Sequence, residues 1–82
     1  MRILDTDRER ELHAVALYLN PEEAVSLIKQ LSALLDDPER PEHFHLYSKE
    51  KLRREVSVSI VTPNKINALS YSNIERKLLE SN

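Results

Sequence analysis

Apolar residues recur at Ala24, Leu27, Ile28, Leu31, Leu34 and Leu35, the i, i+3, i+4, i+7 spacing of one helical face. Glu23, Ser26, Lys29, Gln30 and Ser32 take the other side. The boundaries are marked. Asn20 is a good N-cap, Pro21 suits the first helical position, and Glu23 falls three residues after the cap, where its side chain reaches back. Glu22 and Glu23 place negative charge at the positive end of the helix dipole. Asp36-Asp37-Pro38 ends the segment, because a residue before proline is pushed out of the helical region. Within Asn20 to Asp37, about sixteen helical residues at ~1.5 Å each predict a rod of roughly 24 Å. Its apolar stripe needs a sheet or another helix to cover it.

A second period follows. His43 to Ser48, HFHLYS, alternates: Phe44 and Leu46 face one way, and His43, His45 and Tyr47 the other. Glu55 to Thr62, EVSVSIVT, is richer in β-branched residues, with Val56, Val58 and Ile60 inward and Ser57, Ser59 and Val61 outward. The link between them, Lys49 to Arg54, is short and charged, so an antiparallel hairpin is expected. Leu12 to Leu19, LHAVALYL, is a near-continuous apolar run that stops at the cap, Asn20. It reads as a central strand covered on both faces, with His13, Val15, Leu17 and Leu19 toward the helix.

The remaining segments are plainer. Met1 to Asp5 reads as a short strand, Asp5-Thr6-Asp7 as a turn, and Arg8 to Glu11 as a hairpin loop or strand lead-in. Asp36 to Glu42 is a proline-rich, charged turn. Lys65 to Leu69 fits neither period cleanly. Ser72 to Glu75 repeats the capping-box pattern, and Ile74, Leu78 and Leu79 give a short apolar face, so a helix from Ser72 to about Glu80 is expected. The predicted fold is a single two-layer α+β domain over residues 1–82. It is a small antiparallel or mixed sheet with one long helix on one face, ordered strand, helix, strand, strand, short helix.

Composition narrows the chemistry. With 82 residues, 40% hydrophobic and 32% charged, the chain has the make-up of one soluble domain. A net charge of −2 argues against nucleic acid as a partner, since phosphate binding needs a basic excess. The cluster Lys49, Lys51, Arg53 and Arg54 is diluted by Glu50 and Glu55. The chain contains no cysteine, which removes disulfides, thiol catalysis and zinc thiolates. It contains no glycine, which removes phosphate loops and dinucleotide fingerprints. No signal peptide or membrane span is visible, and a cytoplasmic location is expected.

Candidate chemistry is sparse. His43 and His45 form an HxH pair on one strand face, yet a metal site usually needs a third or fourth ligand, and His13 is expected on the opposite face. No metal or cofactor is therefore assigned. The acid pairs Glu22–Glu23 and Asp36–Asp37 fall at helix ends, where capping and the dipole account for them. Ser57 and Ser59 carry no nucleophile signature. The sheet face bearing Ala14, Ala16, Tyr18, His43, His45, Tyr47, Ser57 and Ser59 reads instead as a contact surface, with Tyr18, His43, His45, Tyr47, Ser57 and Ser59 as its interface residues, because aromatics are enriched at interfaces.

The run LYLNPEEAVSLIKQLSALLDDP, followed by HFHLYS and REVSVSIVT, resembles the small immunity proteins of bacterial polymorphic-toxin systems, of the immunity protein thirty-two type. The likeness covers Leu12 to Thr62 and carries no residue roles. It implies a cytoplasmic protein that binds and neutralises a cognate toxin without a cofactor. The expected function is thus a non-catalytic protein-binding module acting on a toxin. The alternatives are a structural homo-oligomer, with a homodimer expected, and a small metal-dependent enzyme using His43 and His45.

Overall fold

Asn20 separates two backbone regimes. Its own φ and ψ of −74° and 167° are extended, and the helix α1 (Pro21–Leu35) begins at the next residue. Asn20 Oδ1 accepts from the Glu23 amide at 2.8 Å, and the Asn20 amide donates to Glu23 Oε1 at 2.9 Å. A cap of this kind is worth ~1 kcal/mol. The computed structural model describes residues 1–48, 54–68 and 70–80. The charged link at residues 49–53, and with it most of the basic cluster, lies outside the described residues.

Strands β1 (Ile3–Asp5) and β2 (Arg10–Leu12) form an N-terminal antiparallel hairpin with Ile3 opposite Leu12. Strands β3 (His43–Tyr47) and β4 (Glu55–Ser59) form a second, with Phe44 opposite Val58 and Leu46 opposite Val56. Two helices follow: α2 (Pro63–Ala68) and α3 (Asn73–Glu80). The fold is α+β; its element order roughly follows the expected one, with a hairpin ahead of α1 and a further helix, α2, before α3, and its described strands form two separate two-stranded sheets.

The long helix lies against β3. Leu34 of α1, Phe44 and Leu46 of β3, and Leu78 of α3 are the buried apolar side chains among the described residues. At roughly 1.5–3 kcal/mol for each fully covered side chain, this is a thin core. Only part of the α1 stripe is used. Ile28 and Leu35, along one edge of the stripe, stay about two-thirds exposed, at 65% and 61%, whereas Leu34 is buried.

The central strand expected over Leu12–Leu19 does not form. Leu12 closes β2, His13 is a bend, and residues 14–20 belong to no strand or helix. The described strands pair only as β1 with β2 and β3 with β4, and none runs beside the segment. Val15 and Leu17 are consequently exposed instead of lying under the helix, and His13 faces solvent. The sheet is correspondingly smaller than expected.

The charged and polar turns are closed by side chains. Asp5 Oδ1 accepts from the amides of Asp7 and Arg8, both at 3.1 Å. Glu9 then takes a φ of +53°, a left-handed position that a chain without glycine must give to another residue. Thr62 caps α2. Its Oγ1 accepts from the Lys65 amide at 3.3 Å and donates to Glu39 Oε2 at 2.9 Å. Ser72 and Glu75 complete the second capping box, at 3.0 and 3.3 Å. Arg76 Nη1 reaches the Ile66 carbonyl at 3.2 Å and ties α3 to α2.

Candidate functional site

The β3–β4 register sorts the ribbon into two faces. Phe44 and Leu46 point inward and are buried; His43, Tyr47, Ser57 and Ser59 are exposed on the other face, with His45 half-buried among them. His43 stands opposite Ser59, His45 opposite Ser57, and Tyr47 opposite Glu55. Five of the six expected interface residues are thus together on one surface. Helix α3 does not cover it; that helix meets α2 and, through Ile74, Lys77 and Leu78, borders a groove with Leu4, Glu9, Arg10 and Glu11 of the N-terminal hairpin. Tyr18, the sixth, lies on the unpaired segment before α1 instead of on the ribbon and is 93% exposed.

The polar residues of this face are connected. Ser57 Oγ lies 2.8 Å from His45 Nδ1, and Glu55 Oε1 forms a close ion-pair contact with the same nitrogen. His45 Nε2 lies 3.1 Å from His43 Nε2. The two imidazoles meet edge to face with centroids 4.8 Å apart, and Tyr47 stacks on His45 at 5.8 Å. A carboxylate only accepts, so Nδ1 of His45 carries its proton toward Glu55. In neutral His45, Nε2 then keeps a lone pair, and His43 Nε2–H donates to it.

Ser57, His45 and Glu55 contain the residue types of a hydrolytic triad but lack its connectivity. A relay needs the hydroxyl on one ring nitrogen and the carboxylate on the other. Here both meet Nδ1, so the imidazole has no second nitrogen facing Ser57 with which to take its proton. Among the described residues, no group of three or more His, Cys, Asp or Glu could hold a metal ion.

Beside the ribbon is an open groove of about 370 Å³ between the start of α1 and β3, lined by residues that include Glu23, Ser26, Gln30, His45 and Tyr47. Gln30 Nε2 donates to Ser26 Oγ there at 3.0 Å. Neither Glu55 nor this groove figures among the expected site residues. Glu55 was findable: once Ser57 opposes His45, Glu55 is the diagonal neighbour on the same face.

The second exposed surface is the segment Ala14–Leu19. It has no charged residue, and none of its main-chain groups makes a backbone hydrogen bond to another described residue. Val15 is 57% and Leu17 47% exposed. No described helix is long and apolar enough to cross a membrane. Comparison with protein-family models, curated proteins and solved structures finds no match to the chain.

Proposed function

We propose that this chain is a non-catalytic protein-binding module that pairs with another polypeptide along Ala14–Leu19. One observation carries the reading: six consecutive uncharged residues lie outside every helix and strand, make no backbone hydrogen bond to another described residue, and leave Val15, Leu17 and Tyr18 exposed. An unpaired segment of this kind is open to strand addition, in which main-chain hydrogen bonds supply affinity and alternate side chains supply selectivity. Tyr18, Val15 and Leu17 are the anchors, and the polar β3–β4 face, with His43, His45, Tyr47, Ser57 and Ser59, forms a further contact surface. The sequence likeness to toxin immunity proteins supports a bacterial toxin as partner, a cytoplasmic site of action, and neutralisation by occlusion.

A homodimer is the second reading. Antiparallel self-pairing about Ala16 sets Val15 against Leu17 and brings no like charges together within Ala14–Leu19.

The test is light scattering over a concentration series, with and without the co-expressed product of the adjoining gene, combined with amide exchange. The Ala14–Leu19 amides should exchange fast in the free chain and slowly in the complex. Leu17→Lys should abolish the complex while circular dichroism stays unchanged. A complex in which these amides still exchange fast, or a chain that stays monomeric with no cognate partner, overturns the reading.

A further inference from the structure

We infer that His43 and His45 form a bidentate site for one late first-row divalent ion, of the Cu²⁺, Ni²⁺ or Zn²⁺ class. The site is independent of the pairing segment. The geometry that carries it is the convergence of the two Nε2 atoms at 3.1 Å on an exposed face of the ribbon. An ion bonded to both at ~2.0–2.1 Å would subtend an N–metal–N angle of roughly 100°, between the octahedral and tetrahedral values. A strand places residues i and i+2 on one side, so the chelate is set by the backbone of β3.

The surroundings suit the role. Ligating histidines usually donate their other ring N–H to a carboxylate, which fixes the tautomer and raises ligand basicity. His45 has this arrangement: Nδ1 is held by Glu55 and Ser57, and Nε2 points to His43. Tyr47 stacked on the ring holds its plane. Binding needs His43 to move its proton from Nε2 to Nδ1, a tautomer change with no net proton release. With two protein ligands, water fills the remaining positions, and imidazole donors favour Cu²⁺ over Ni²⁺ and Zn²⁺.

The test is a titration of the intact chain with Cu²⁺, Ni²⁺ and Zn²⁺, read by calorimetry and by the ring-proton resonances of the histidines. One ion per chain should bind, with His43 and His45 resonances perturbed and His13 untouched. His43→Ala and His45→Ala should each weaken binding by at least 10-fold, Glu55→Gln should weaken it about 10-fold, and His13→Ala should leave it unchanged. Circular dichroism of each variant checks folding. Absence of stoichiometric uptake, or uptake that survives folded His43→Ala and His45→Ala, overturns the site.

Discussion

The ammonium of Lys65 donates to the carbonyl oxygen of Pro38 at 2.9 Å, joining the turn after α1 to the start of α2. The same Nζ donates to the Ile60 carbonyl just beyond β4. Lys65 is only 5% exposed, the one charged side chain among those recorded as buried. It sits in the first turn of a helix, where positive charge opposes the dipole, and the two carbonyls offset that cost. The lysine is therefore a clamp on the three-way junction of α1, β4 and α2.

Lys65→Met keeps the aliphatic stem and removes the clamp. It leaves two carbonyls without their donor, at a cost of about 2 kcal/mol. In a domain of this size that lowers the thermal midpoint by roughly 8–16 °C. A melt followed by circular dichroism measures it, and an unchanged midpoint would deny the clamp any weight.

Glu9 occupies a left-handed position in the N-terminal hairpin. A residue with a Cβ pays roughly 1–2 kcal/mol there, and glycine does not. Glu9→Gly should stabilise the protein by about 0.5–1 kcal/mol after the glycine's extra chain entropy is counted. Glu9→Ala, which keeps the Cβ, should give no gain. Chemical denaturation of the two variants separates conformation from charge.

Asp5 gives the same hairpin a pH dependence. The Arg8 backbone amide holds its carboxyl below the usual aspartate range; partial desolvation opposes this, and the Asp7 amide and the Arg8 charge add to the lowering. A depressed folded value stabilises the charged form. The contribution is complete above the ordinary aspartate pKa and is lost as pH falls through the lowered one. The Asp7 and Arg8 amide resonances should titrate with a midpoint below that of a free aspartate. Asp5→Asn should abolish the transition; a midpoint at the ordinary value would mean the amides do not hold the carboxylate.

Local signals were legible where sequence neighbours alone decide the structure. Asn20 with Glu23 and Ser72 with Glu75 both form capping boxes, and the helices begin where those pairs place them. The alternation of Phe44 and Leu46 against His43, His45 and Tyr47 matches the burial of β3. Helix α2 was not among the expected elements: Lys65 to Leu69 fitted neither period, and the buried, hydrogen-bonded Lys65 interrupts the apolar pattern that would have shown it.

Non-local pairing was not legible. Hydrophobicity from Leu12 to Leu19 says that the segment seeks cover; it does not say which strand supplies it. Among the described residues none does, so Tyr18 parts from the ribbon it was expected to share. The His43–His45 contact was foreshadowed by their spacing. The grip of Glu55 and Ser57 on His45 depends on a register fixed only by the folded hairpin.

The unpaired length between His13 and Asn20 has a consequence for supply. No lysine, aspartate or proline within it guards against adhesion to another chain, so molecules whose segment is uncovered are prone to stick to one another. On the proposed reading, matching the output of this chain to that of its partner would limit such self-adhesion.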